Sequence, residues 1–458
     1  MPGVPVVILG AGPAGLGAAW QLARRGFNVT VLERASAPGG NAGSFEIEGL
    51  MADYGSHRLH PACPPEILDD VRGMLGPDLL DRPRHGRIRL HGRWLHFPLK
   101  PANLVRNAPP RFLLGVLRDN AWKAKTAMGG ESFRTVLEAG LGKTICRDFY
   151  FPYARKIWGV EPEELHAEQA RRRVSAGSAG KMVRKLLRRA GGARFYYPRG
   201  GFGRISDAYL DAARQAGARV LCNTSVVGVE VASGRVIAVR ASGGQRFEAR
   251  HILSTIPLPT LIRSLDPPGP VLKAANALDY RAMILIYLVL ETDRFTEFDA
   301  HYFPEAWIPI TRLSEPKNYG LQEAPGATVL CAELPCSTSD AFWCASDDLL
   351  AGMILGALGQ AGLPVLAPVR KVLTRRLEQA YPIYRSGYAE HFDTLDRWLG
   401  GLEGLTTLGR QGLFAHDNTH HTLAMAYAAS RCLRDDGSFD RRRWAAHRKE
   451  FQQHVVED

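Results

Sequence analysis

No two cysteines in this chain of 458 residues are spaced as CxxC, no apolar run is long enough to span a bilayer, and no internal repeat or low-complexity tract is present. The seven cysteines, Cys63, Cys146, Cys222, Cys331, Cys336, Cys344 and Cys432, are odd in number and scattered, which argues against a disulfide framework and a redox pair. Cys331, Cys336 and Cys344 come nearest to a cluster, but no histidine stands at ligand spacing, so no metal is expected. The longest apolar run, residues 282–290, is too short for a membrane span and rich enough in Ile, Leu, Val and Tyr to be a buried strand. No basic segment precedes Val4, and glycines break the apolar stretch there, so no secretory leader is expected and the expected location is cytoplasmic.

Acidic residues are outnumbered, with 58 Lys and Arg against 46 Asp and Glu, a formal charge of +12. Much of the excess sits at Arg171, Arg172, Arg173, Lys181, Arg184, Lys185, Arg188 and Arg189. One reading of that run is a solvated helix face. The other is attraction for an anionic small-molecule substrate or peripheral contact with an anionic membrane surface. Nucleic acid is not expected as a partner, because no base-stacking aromatics interleave the run. At 45% hydrophobic and 23% charged, the chain suits a soluble protein of two domains with a large core.

What is present is organised around the first forty residues. Val6-Val7-Ile8-Leu9 reads as a buried parallel strand, and Gly10-Ala11-Gly12-Pro13-Ala14-Gly15 follows it at once with GxGxxG spacing. Gly10 permits the tight turn, Gly12 lets backbone amides approach a pyrophosphate, and Gly15 lets the next helix pack close to the strand. Good helix formers run from 16 to 25, Gly26 stops them, and a second strand over 27–32 ends in Glu33. A carboxylate there accepts hydrogen bonds from an adenosine ribose and repels a 2′-phosphate. A second glycine turn, Pro38-Gly39-Gly40-Asn41-Ala42-Gly43, comes just after the acid, where an extended flavin dinucleotide needs close backbone contact.

Here the chain resembles the amine oxidase and protoporphyrinogen oxidase superfamily of FAD enzymes, which includes the phytoene desaturases and the UDP-galactopyranose mutases. The resemblance implies an α/β fold, with a Rossmann-like FAD-binding domain of the amine oxidase type and an inserted α+β substrate domain. It implies FAD as cofactor, with residues 1–60, 197–265 and 395–458 forming the FAD domain and 61–196 and 266–394 the substrate domain. Arg34, like Gly40 and Asn41, falls in the segment that lies along the cofactor in that family. Gly55-Ser56-His57 resembles the GxH turn of the mutases, whose histidine lies near the flavin ring; a turn histidine satisfied by backbone is the alternative.

Later segments extend the resemblance. Alternation about a central glycine over 87–98 predicts two short strands, and Phe151 to Gly159 resembles a helix ending on a Trp-Gly pair near the substrate pocket. For Trp158 core packing is favoured over stacking on a ligand. Pro198 to Arg204 resembles the family's glycine turn opening a long helix to about Ala216. The strand end reaching Val226 and Val227 implies adenine contacts, a hairpin through Gly234 follows, and Ser254-Thr255-Ile256-Pro257 closes the nucleotide half. Long strands are expected over 281–291 and 307–312. Thr311-Arg312 matches a Thr-Arg pair of the mutases whose arginine sits close to the flavin, and Tyr381 to Tyr384 resembles a pocket-lining YP segment.

The last segment, 405–410, reads as a strand ending in Gly409-Arg410, then a loop and a helix beginning near Asn418 or Thr419. Relatives hold the flavin edge with such helix N-terminal amides, which suits the charge of a reduced flavin. Two positions depart from the mutases: His416 stands where they carry a phosphate-binding tyrosine, and Ala176 where an essential arginine is expected. His57, Arg312 and Tyr384 are the candidate catalytic neighbours, as orienting or proton-handling groups. The implied reaction is transfer of a hydride from a substrate C–N or C–C bond to flavin N5. The alternatives are a non-redox mutase acting on a nucleotide sugar and a nucleotide-binding protein without catalysis.

Overall fold

A computed structural model describes residues 3–121, 130–173 and 193–456. Lys181, Arg184, Lys185, Arg188, Arg189 and Ala176 lie outside the described residues.

Val6 and Ile8 point into one core and Val7 and Leu9 into another, which is why the first strand is apolar throughout instead of alternating. It is the centre of a five-stranded, all-parallel sheet in the order Leu405–Thr407, His251–Ser254, Pro5–Leu9, Asn28–Leu32, Arg219–Leu221. One face is covered by the helices Pro13–Ala23, Arg204–Gln215 and Thr419–Cys432. The opposite face carries the meander Val226–Ala232, Arg235–Ala241, Arg246–Glu248 and the short helix Leu258–Arg263. Proline at the first helical position and a run of small residues shape the Pro13–Ala23 helix. A Cβ on Gly17 would lie 2.9 Å from Leu423 Cδ2, so the absent side chain sets how closely Thr419–Cys432 approaches.

The second sheet has seven strands in the order Val369–Ile383, Asp279–Leu290, Thr328–Cys336, Arg312–Ser314, Ala300–Tyr302, Gly86–Leu90, Arg93–Phe97. Only the Ala300–Tyr302 and Gly86–Leu90 pair is parallel. Asp279–Leu290 is buried on both faces. Ile284, Ile286 and Leu288 pack with Leu350, Ile354 and Leu358 of the helix Asp347–Gln360. Met283, Leu285, Tyr287 and Val289 pack with Ile47, Leu50 and Ala52 of the hairpin Ser44–Ile47/Leu50–Asp53. That hairpin lies between the second glycine turn and the Gly55 turn, so the second sheet packs directly against the segment that joins those two turns.

Three expectations are corrected. Residues 307–311 are not strand, which begins only at Arg312. Pro309 has no N–H to give a ladder. Lys156 Nζ instead donates to the carbonyls of Phe303, Glu305 and Ile310 at 2.6, 2.7 and 3.1 Å, and burial pulls this ammonium down to about 7. Gly409 and Arg410 do not end a strand; they open the helical turn Gly409–Gly412. Arg172 is not on a solvated face, being buried and paired with Glu168 at 2.9 Å. Trp158 is core, edge-on to Phe133 with centroids 5.3 Å apart.

His251, sealed between the strands His251–Ser254 and Leu405–Thr407, shares a hydrogen bond with Thr406 Oγ1 at 3.1 Å. Burial lowers its pKa from the ordinary 6.5 to about 3. The neutral ring contributes fully above pH 6.5, and its contribution falls by up to ~1.4 kcal/mol per pH unit as pH drops toward 3, because only the unfolded chain takes the proton. We expect wild type to lose about 2 kcal/mol more than His251→Gln between pH 6.5 and 4.5 in urea unfolding. Parallel pH profiles for the two proteins would contradict this assignment.

Candidate functional site: a dinucleotide cradle facing a buried ion pair

The first turn closes where the parallel sheet ends. Gly10 adopts φ 96° and donates its N–H to Leu32 O at 2.8 Å, and a Cβ on Gly15 would sit 1.9 Å from Gly10 O. Thr255 locks the turn from the neighbouring strand, its hydroxyl donating to Leu9 O at 2.8 Å. The second glycine turn folds onto the first: Gly39 N–H donates to Ala11 O at 2.8 Å, and Gly40 stands beside Gly12. Gly12 differs from Gly15. A Cβ there would meet no protein atom nearer than Gly40 Cα at 3.9 Å, so the space beside it is free for a ligand.

Glu33 is buried at the end of the second strand, where its Oε2 accepts from Ala11 N–H at 2.8 Å and its Oε1 from Ala35 N–H at 2.9 Å. Thr224 N–H donates to Glu33 O at 2.8 Å, which brings the residues before Val226 to the acid. Val226 is half-buried; Val227 is 59% exposed and Arg34 is exposed.

The helices Pro13–Ala23 and Thr419–Cys432 run parallel. Ala14 meets Gly409, Gly17 meets Leu423, Trp20 meets Tyr427, and Arg25 donates to Ser430 O. Pro13, Ala14, Asn418 and Thr419 therefore lie at the same end, and both macrodipoles present their positive poles there. Asn418 is the N-cap, and His421 Nδ1 returns to its N–H at 3.2 Å. Free space beside Gly12, a second glycine turn against it and two positive helix poles fit the pyrophosphate and anionic edge of FAD.

The Gly55 turn rests on the second sheet. Cross-strand pairing sets Tyr302, Arg312, Glu333, Leu285 and Arg375 in one row. Gly55, at φ 95°, lies over Leu285 and Glu333, and the Arg375 guanidinium stands 3.7 Å from the centroid of the Tyr54 ring. Arg312 clamps Glu333 bidentately, Nε donating to Oε1 at 3.0 Å and Nη2 to Oε2 at 2.9 Å, and Nη2 also lies 3.2 Å from Ser56 O. Glu333 Oε1 in turn accepts from Ser56 N–H at 2.8 Å. His57 Nε2 contacts Tyr54 O at 2.9 Å, and its ring stacks on Phe202 with centroids 5.3 Å apart. Burial outweighs the Asp53 charge and holds this imidazole below its ordinary pKa, so it is neutral at pH 7.

A third group forms where Val369–Ile383 ends. Asn41 Nδ2 and Gln411 Nε2 donate to Gln379 O at 3.4 and 2.7 Å, and Arg410 donates to Ala380 O at 2.8 Å. The guanidiniums of Arg410 and Arg173 stand 5.0 and 5.4 Å from the centre of the Tyr381 ring. Tyr384 lies deeper: its phenol is buried and donates to Phe414 O at 2.9 Å, its ring stacks on Tyr388 at 4.3 Å, and burial pushes its pKa up. Its hydroxyl is committed to the Phe414 carbonyl. His416 is fully buried against Gln169 at 2.8 Å.

Two site residues escaped the sequence reading. Glu333 was detectable as a lone acid inside the otherwise uncharged strand Thr328–Cys336. Asp53 is buried and accepts from Ser44 Oγ at 2.5 Å, Phe202 N at 2.9 Å and Tyr197 Oη at 2.7 Å, tying the Gly201 turn to the Gly55 turn. No local spacing marks it.

Comparison with known proteins agrees with this geometry. The chain is 26% identical over 326 residues to the zeta-carotene-forming phytoene desaturase of Myxococcus xanthus, covering 65% of this chain and 62% of that one, a little under two thirds of the relative's length. It is 24% identical over 467 residues to the coproporphyrinogen III oxidase of Propionibacterium freudenreichii subsp. freudenreichii, covering 86% and 84%. Reduced UDP-galactopyranose mutase superposes with a TM-score of 0.77 at 21% identity, covering 93% of both chains. Putrescine oxidase bound to putrescine superposes with a TM-score of 0.66 at 18% identity, covering 93% and 98%. Both of these structures share the fold. The family model for flavin-containing amine oxidoreductases matches residues 13–391, the greater part of the chain, and the protein belongs to that family of FAD-dependent oxidoreductases.

Proposed function

We propose that this enzyme removes a hydride from a C–N or C–C bond of a small-molecule substrate. FAD, when bound by the residues named below, would supply the two-electron acceptor for that hydride. The observation that carries the reading is the meeting of the Gly55-Ser56-His57 turn with the buried Arg312–Glu333 pair, beside two glycine turns and two helix N-termini. Gly10, Gly12, Pro13, Ala14, Gly15, Gly40 and Asn41 hold the pyrophosphate segment, Glu33 and Val226 the adenosine, and Gly409, Arg410, Asn418 and Thr419 the flavin edge. Residues 1–60, 197–265 and 395–458 are the part that holds the cofactor. His57, neutral at pH 7 and ordered by Tyr54 O and Phe202, orients the reacting group or accepts its proton at an imidazole nitrogen. Arg312 fixes the turn beneath it, and the paired Glu333 cancels its charge.

Anaerobic titration of the purified protein with amines, a porphyrinogen, a polyene and UDP-sugars tests the reading. Bleaching of the flavin bands by an amine, porphyrinogen or polyene is the expected result. Bands that respond to dithionite alone, followed by turnover of a UDP-sugar, would replace it with a non-redox mutase. One observation favours that second reading: Arg173, Arg410 and Tyr381 form a cationic, aromatic wall suited to a diphosphate. Tyr384→Phe separates wall from chemistry. Losing its bond to Phe414 O should cost about 1 kcal/mol of stability and leave the rate constant for flavin reduction within twofold. A hundredfold slower reduction would make the phenol a catalytic group.

A further inference from the structure

Outside the cofactor contacts, one cluster of titratable side chains is assembled from two distant stretches. Asp417 precedes the N-cap of Thr419–Cys432, and His421 follows one turn later on that helix. His454 arrives from beyond the helix Arg441–Phe451, on a terminal segment held down by Val456 N–H donating to Arg172 O at 2.8 Å. His454 Nδ1 lies 2.9 Å and His421 Nδ1 3.4 Å from Asp417 Oδ1. The two imidazoles stack with centroids 4.1 Å apart and 12° between planes. We propose that Asp417, His421 and His454 form a site for a divalent transition-metal ion, of the zinc or cobalt class, that clips the C-terminal segment to the start of this helix.

Three observations converge on a cation. One ligand atom from each residue lies within 4.8 Å of the other two, and ligands of a tetrahedral ion at about 2.1 Å stand about 3.4 Å apart, so small side-chain rotations close the set. The Asp417 side chain is wholly buried, and its Oδ2 has no hydrogen-bond partner. A buried carboxylate oxygen without a donor is costly, and a metal ion removes that cost. His421 Nδ1 accepts from Asn418 N–H at 3.2 Å and lies 3.4 Å from Asp417 Oδ1, so the helix cap holds this ring nitrogen unprotonated beside the carboxylate. Two imidazoles and one carboxylate select borderline ions such as Zn²⁺ over Mg²⁺ or Ca²⁺, leaving a fourth position for water.

The test uses the flavin-loaded, untagged full chain after dialysis against a chelator. Isothermal titration with Zn²⁺ is expected to give one ion per chain with a Kd at or below about 1 μM, as for three protein ligands already gathered by the fold. Elemental analysis after gel filtration should give the same ratio. His454→Ala is expected to weaken binding at least a hundredfold while the flavin-to-protein ratio and circular dichroism stay as in wild type. Asp417→Asn, which keeps the side chain's shape, should weaken Zn²⁺ comparably. Substoichiometric binding, or binding equal in wild type and His454→Ala, would mean adventitious surface histidines and overturn the site. If His454→Ala fails to fold, Asp417→Asn decides: unchanged affinity overturns the proposal and a hundredfold loss sustains it.

Discussion

Gly15→Ala will yield a protein that does not retain flavin, whereas Gly12→Ala will yield one whose flavin-free fold is intact and whose cofactor affinity alone is reduced. The Cβ added at position 15 would lie 1.9 Å from Gly10 O and 3.1 Å from Gly10 C, both backbone atoms that cannot turn aside. The turn or the helix must shift, at a cost of about 1–3 kcal/mol or more, and the amides proposed to meet the pyrophosphate shift with it. FAD affinity should fall by more than about a hundredfold, ~2.7 kcal/mol. At position 12 the nearest protein atom is 3.9 Å away, so the unliganded protein should change by no more than ~0.5 kcal/mol. The methyl group there meets the ligand instead, and we expect an affinity loss of about tenfold, ~1.4 kcal/mol. Fluorescence titration of flavin-stripped protein and urea unfolding of the same samples check both halves. Full flavin retention by Gly15→Ala, or equal destabilisation by the two variants, would show that the glycine turns do not divide their roles this way.

Glu333→Ala will be among the most damaging single changes in the second sheet. The side chains of Arg312 and Glu333 are 12% and 4% exposed, and removing the carboxylate leaves a guanidinium buried without its counter-charge. Breaking such a pair from one side costs about 3–5 kcal/mol. The Ser56 N–H also loses its acceptor, so the Gly55-Ser56-His57 turn loosens. Arg312→Met with Glu333→Gln should cost less than the sum of the single changes, because no uncompensated charge remains. Denaturant midpoints across the four proteins give the coupling energy, and flavin reduction rates report whether the turn has moved. Additive single effects would mean that the two side chains act independently, against the bidentate geometry.

The GxGxxG turn, Glu33 and the second glycine turn were legible because each fits a motif carried within a few dozen residues of chain. Helix starts such as Pro13 and Asn418 were legible for the same reason, since proline and capping residues act on their immediate neighbours. Periodicity misled at residues 307–311, where apolar residues suggested a strand. The backbone there answers to Lys156, whose ammonium collects three carbonyls from a helix far away in sequence. Arg172 belongs to a basic run that reads either as a solvated face or as an attractor for anions, yet pairing with Glu168 and contact with the terminal segment bury it. Tyr384 suggested a pocket hydroxyl, and only its bond to Phe414 O gives it to the wall.

By itself the sequence determined the family and the flavin dinucleotide that goes with it, because the glycine turns that let backbone approach a phosphate cannot be disguised by other residues. Which side chains meet at the Gly55 turn was decided only by the tertiary structure. Arg312 and Glu333 are 21 residues apart, and cross-strand register sets them opposite one another beneath Gly55. Asp417 and His454, 37 residues apart, meet because a helix turns the chain back on itself. Register and helix packing arise from burying whole apolar faces, a property of many residues at once, so no local pattern encodes the charged pairs that end up side by side.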